Sequence, residues 1–151
     1  MKHLFKIALL ILPVTLLSSC GGVKNYPYKG EAIKLEKPLK IEIQSKSEGV
    51  TWLTGDDLNS FYDKYLKNIK FLETEGRFFV SSAVLLWYED RDIGLTVGCT
   101  NYGLLYIEDL LNMKFYAALE EINYGDFESD IIYYFDKNIL VLQSFSINIY
   151  T

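Results

Sequence analysis

Residues 77–100 read RFFVSSAVLLWYEDRDIGLTVGCT, two apolar arms parted by the charged triplet Asp90-Arg91-Asp92. Arms of this length and composition around a polar turn predict a β-hairpin of residues 77–89 and 93–100. The first arm is apolar on both faces over much of its length, as expected for a strand in the middle of a sheet. In the second, Ile93, Leu95, Val97 and Cys99 alternate with Gly94, Thr96, Gly98 and Thr100. Cys99 therefore shares the apolar face, and is expected to be buried and chemically inert.

Upstream of this hairpin, Leu39, Ile41 and Ile43 alternate with Lys40, Glu42 and Gln44 behind Pro38, which predicts a strand over 39–44. A polar turn at 45–49 leads to a second short strand at 50–53. Thr54-Gly55-Asp56-Asp57 then resembles a capping box, with Thr54 placed to accept from the first-turn amides. Leu58, Tyr62, Tyr65, Ile69 and Leu72, widened by Phe61 and Leu66, form one helical stripe that ends before Gly76. Downstream, Ile107, Leu110, Leu111, Phe115, Ala118, Leu119 and Ile122 fit a helical face over 106–125. Residues 131–135 and 139–150, either side of Asp136-Lys137-Asn138, read as a final pair of strands. The order β, α, hairpin, α, hairpin predicts an α+β fold: a mainly antiparallel sheet of five to six strands, covered on one face by two helices. Residues 32–151 suit one domain with a real core.

The N-terminal residues have a different character. MKHLFKIALLILPVTLLSS puts Lys2, His3 and Lys6 ahead of an apolar stretch from Ile7 to Leu17, the layout of an export signal. That stretch is about half of the ~20 residues needed to span a bilayer, and Pro13 interrupts it. Leu17-Ser18-Ser19-Cys20 resembles the lipobox of bacterial lipoproteins. The resemblance covers the first twenty-odd residues only. It implies that residues 1–19 are removed as a signal peptide and that the Cys20 sulfur takes a diacylglycerol, with acylation of the new amino group. Several acyl chains, at about 0.8 kcal/mol per buried methylene, hold far more firmly than one myristoyl group. Gly21 and Gly22 follow where an aspartate in enterobacterial relatives favours the inner membrane, so the same family rule points to the outer membrane facing the periplasm. Residues 20–31, CGGVKNYPYKGE, have no periodicity and are expected to act as a tether.

Charge and residue usage narrow the function. Loss of Lys2 and Lys6 leaves 13 basic against 20 acidic side chains, and residues 71–151 hold 4 basic and 13 acidic of these. A nucleic-acid partner and adhesion to anionic headgroups are both disfavoured. The only histidine, His3, precedes Cys20, so the expected mature chain lacks the imidazole of Ser-His-Asp and Cys-His mechanisms. There is no GxSxG, Walker or GxGxxG motif. Glu89, Asp90, Asp92, Glu120 and Glu121 remain as carboxylates for a hydrolase, a remote alternative. Asp126, Glu128 and Asp130 alternate like the start of a calcium loop, but Ile131 replaces the required Gly and Lys137 the final Glu. No cofactor and no metal site are therefore expected.

What remains is a surface of tyrosines beside carboxylates. Tyr124, Asp126, Glu128, Asp130, Tyr133 and Tyr134 form the candidate protein-binding face, suited to a basic partner. The expected function is that of a membrane-anchored, non-enzymatic envelope lipoprotein that binds a protein, in the manner of an inhibitor or immunity protein. The alternative is a structural or assembly accessory of an envelope machine.

Overall fold

The computed structural model describes residues 28–45, 49–75 and 78–149. Residues 1–19, Cys20 and the first part of the tether lie outside them. Eight strands form one antiparallel sheet: β1 (Tyr28–Lys34), β2 (Lys40–Ser45), β3 (Gly49–Leu53), β4 (Lys70–Thr74), β5 (Ser82–Trp87), β6 (Leu95–Cys99), β7 (Leu104–Asp109) and β8 (Lys114–Glu121). Their spatial order is β1-β4-β8-β7-β6-β5-β2-β3. Among the described residues two helices complete the fold: α1 (Gly55–Phe61), which continues as a π-helical turn over Tyr62–Leu66, and α2 (Tyr124–Ile149). The class is α+β, with eight strands rather than five or six.

The sheet must curl. β1 and β2 stand six strand spacings apart in the order, about 29 Å if the sheet were flat. The chain from Lys34 to Lys40 spans at most about 21 Å when fully extended. The two ends of the sheet are therefore drawn towards each other, and one face becomes concave. That face carries Ile41, Leu53, Phe71, Val84, Leu86, Val97, Cys99, Leu105 and Ile107, all buried. They form one cluster with Phe61, Tyr65 and Leu66 of the first helix and Phe127 and Phe135 of α2. The helices meet through rings: Phe61 and Tyr65 lie 5.6 and 5.2 Å from Phe127, centroid to centroid. Such pairs add to the burial of their own area.

The predicted hairpin is present as β5 and β6, paired from Ser82↔Cys99 to Leu86↔Leu95, with β5 interior as expected, but the arm read as 77–89 is strand only over Ser82–Trp87. β2 and β3 also lie where the alternation put them. Five readings need correction. The helical stripe stops at Leu66, where Lys67 donates to the Tyr62 carbonyl in an i→i+5 bond, and Leu72 belongs to β4. Thr54 caps α1 in extended conformation but makes no side-chain cap bond. Residues 106–125 are no helix: they hold most of β7, all of β8 and the start of α2. β7 is buried on both faces and its turn to β8 is itself apolar, so the two strands and the turn together mimic a helical period. The two C-terminal strands are instead one helix, α2, opened by Asn123, whose side chain accepts from the Asp126 amide. β1 also takes in residues 28–31 of the expected tether.

The convex face is partly covered by the chain between β4 and β5. Phe78 packs 4.8 Å from the Tyr106 ring, and Val80 lies over Gly98. A Cβ on Gly98 would fall 2.6 Å from Val80, so only glycine lets this strap lie flat. The edge strand β1 carries a register shift between Lys29 and Ile33, a feature that discourages edge-to-edge pairing.

Phe127→Ala separates the helical placement of α2 from the strand reading. Phe127 is fully buried. The change is expected to lower unfolding free energy by about 3–5 kcal/mol in urea titration. Tyr133→Ala, on the exposed side of the same helix, should change it by less than about 0.5 kcal/mol.

Candidate functional site

α2 sorts the six predicted face residues by its own period. Tyr124, Asp130 and Tyr134 turn towards the rest of the protein, while Asp126, Glu128 and Tyr133 are exposed. The Tyr124 hydroxyl lies 3.3 Å from Ser82 Oγ at the start of β5. Tyr134 packs edge-on against Phe61. Asp130 accepts from the Tyr65 hydroxyl and from Lys64 Nζ at 2.8 Å. Burial alone would raise the Asp130 carboxyl, but these two donors outweigh it and hold it below its ordinary value. Burial and the adjoining Asp130 carboxylate push the Tyr65 phenol up. Two turns further along, Lys137 reaches Asp57 at 2.9 Å. These three residues serve helix packing.

Outward, the same helix shows Ile132 and Tyr133, 55 and 59% exposed, beside Glu128 and Asp136. Two adjacent apolar side chains that far into solvent contribute little to the core. Ile132 lies outside the predicted face, which consists of tyrosines and carboxylates alone. Only a helical period places it next to Glu128 and Asp136.

A second surface feature went unread in the sequence. The turn between β7 and β8, Leu110-Leu111-Asn112-Met113, has its three apolar side chains out in solvent. Met113 has φ 52°. That left-handed conformation favours Gly or Asn and costs a larger residue roughly 1–2 kcal/mol. The base of the turn is clamped. Arg91 Nη2 and Nη1 donate to Asp109 Oδ1 and Oδ2 at 2.6 and 3.2 Å, and the Asn112 backbone and side-chain amides donate to the same carboxylate. Both members of the ion pair are largely buried. Arg91 comes from the turn between β5 and β6, so the pair staples two neighbouring turns together. The Arg91 guanidinium, helped by Asn112, holds the Asp109 carboxyl down to about 2.

Nearby on the convex face, Lys40 Nζ sits 4.0 Å above the Trp52 ring and 5.9 Å from Trp87, and the two indoles meet edge-on at 6.2 Å. The carboxylates weighed for a hydrolase are split. Glu89, Asp90 and Asp92 lie in the β5–β6 turn, whereas Glu120 and Glu121 end β8 at the other end of the sheet, opposite Leu104. Among the described residues no group of three or more His, Cys, Asp or Glu is placed to hold a metal ion. Cys99 is fully buried, and burial pushes its thiol up to about 12.

No protein-family model matches the chain. No curated protein or solved structure shows significant similarity to it. The surface itself must carry the functional argument.

Two measurements test this geometry. Asp109 has a folded value below its unfolded one, so its stabilisation is complete above about pH 4 and is lost as pH falls from there towards 2. Asp109→Ala leaves Arg91 buried without its carboxylate and is expected to cost about 3 kcal/mol at pH 7, and the variant's unfolding free energy should fall less steeply than the wild type's between pH 4 and 2. Cys99 should resist a thiol reagent in the native protein and react fully once urea unfolds it. Rapid native labelling would contradict its burial.

Proposed function

We propose that this chain is a lipid-anchored bacterial envelope protein whose domain binds a protein partner through the outward face of α2. The observation that carries the reading is the adjacent pair Ile132 and Tyr133, more than half exposed on a helix whose opposite side is packed into the core. Exposed apolar side chains rimmed by charge mark contact surfaces. Glu128 and Asp136 beside them favour a basic partner, in which acidic groups speed encounter and fix orientation more than they add affinity. The lipobox-like Leu17-Ser18-Ser19-Cys20 supports the anchor, and the periplasmic side of the outer membrane is the location that Gly21 and Gly22 favour. Capture of a basic, envelope-acting enzyme or toxin is the role that joins these features.

A photo-crosslinking residue placed at Ile132 or Tyr133 in the full-length protein in cells should give one discrete protein adduct. The adduct should be absent when the same residue replaces exposed Lys67, just past the end of the first helix. Its yield should fall severalfold when Glu128 and Asp136 are both changed to Lys. No adduct at 132 and 133, or the same adduct from every exposed position, would sink the proposal.

A further inference from the structure

The strand directions place one end of the sheet close to the start of the described chain. Tyr28 opens β1 opposite Thr74, Thr74 lies opposite Phe115, and Phe115 lies opposite Glu108. Tyr28 is thus three strand spacings, about 14 Å, from the end of β7. From that same end project the apolar turn Leu110, Leu111 and Met113, with Met113 65% exposed, and Ile93 of the neighbouring β5–β6 turn. Continued past Thr96↔Glu108, the β6–β7 register sets Ile93 beside Leu111. Both tryptophans of the chain also lie towards this end, Trp52 one residue from the close of β3 and Trp87 at the close of β5.

α2 points the same way. It starts beside Ser82 at the far end of the sheet and reaches Asp57, near the start of α1, through Lys137. It then runs on over Asn138–Ile149, twelve residues with no charged side chain. Cys20 is eight residues before Tyr28, a covalent reach of at most about 28 Å.

We propose that this end of the domain is a membrane-docking surface, with Leu110, Leu111, Met113 and Ile93 seated in the headgroup–acyl boundary of the bilayer that holds Cys20. The proposal rests on the lipid anchor proposed above and deepens it. An anchor already confines the domain to the bilayer surface, so the apolar turn enters without a further bimolecular association. The Arg91–Asp109–Asn112 clamp keeps the turn rigid, so little ordering is left to pay on insertion. Exposed Glu89, Asp90 and Asp92 flank Ile93, so apolar burial rather than attraction to anionic headgroups drives the contact. The occupant follows from Tyr28, which lies at the same pole as the turn only eight residues after Cys20, and from the direction in which α2 runs as far as Lys137.

The test uses the full-length protein purified from membranes and reconstituted into phosphatidylcholine vesicles carrying a nitroxide high on the acyl chain. A fluorophore is attached at Met113→Cys or, at the opposite pole of the sheet, at Tyr102→Cys, with buried Cys99 left in place. Mass spectrometry of the N-terminal peptide reports acylation of Cys20 in the same preparation. The expected result is an acylated Cys20 and at least threefold stronger quenching at Met113 than at Tyr102, reduced severalfold by Leu110→Asp with Leu111→Asp and not increased by adding phosphatidylglycerol. An acylated chain quenched equally at both positions, or more strongly only when phosphatidylglycerol is added, overturns the docking surface alone. A Cys20 without acyl mass overturns the anchor and the docking surface together.

Discussion

The link from β1 to β2 constrains everything else in this fold. Five residues, Leu35–Leu39, join strands that would lie farther apart in a flat sheet than the extended chain can reach. Curling is the only solution, and curling creates a hollow that the two helices fill. The link is held at both of its flanks: Tyr62 donates to the Leu35 carbonyl, Tyr88 to that of Glu36, and the Leu39 amide to Trp87. Phe61, Tyr65 and Phe127 then occupy the hollow as a ring cluster, which ties the C-terminal helix to the first.

Two sets of ion pairs fasten this frame, and they are not equal. Lys64–Asp130 and Lys137–Asp57 join the helices with solvated cations, so each contributes modestly. Arg91–Asp109 is nearly enclosed, bidentate, and shares its carboxylate with two further donors. Losing one partner there strands a charge in a poor solvent, which makes it a fixed joint between two turns. The rigid joint sits under the exposed apolar turn of Leu110, Leu111 and Met113, whereas the weaker pairs sit beside the exposed face of α2.

Those surfaces also mark where the sequence stops being legible. Alternation marks β2 and β6, and the polar turns at 45–49 and 90–92 mark their partners β3 and β5. It does not mark β7 and β8, because Leu110, Leu111 and Met113 occupy a turn that ordinarily would be polar, so the two strands and their turn together follow a helical period. It failed again for α2, where β-branched and aromatic residues from Ile131 to Ile149 favour strands locally. Burial of Phe127 and Phe135 in the core, with Ile131 and Tyr134 packed against it, overrides that preference. Short β4 was absorbed into the preceding helical stripe, since Phe71 and Leu72 are buried on opposite faces and fit either period. The tyrosines and acids of the candidate face were the right kind of residue, but only the helix reveals that half of them point inward and that Ile132 belongs with the rest.

The contribution of α2 to the core has a consequence for assembly. Phe127 and Phe135 arrive only with the last quarter of the chain, and β8, which β4 must pair with, comes shortly before. A polypeptide emerging N-terminus first therefore carries Phe61, Tyr65 and the concave strands without their cover until nearly all of it is available. Sequence-distant pairings of this kind slow folding and leave sticky intermediates. Loss of the final 28 residues would remove the lid of the hollow rather than trim an appendage, and such a chain would be a substrate for proteases and chaperones before it was a smaller version of this domain.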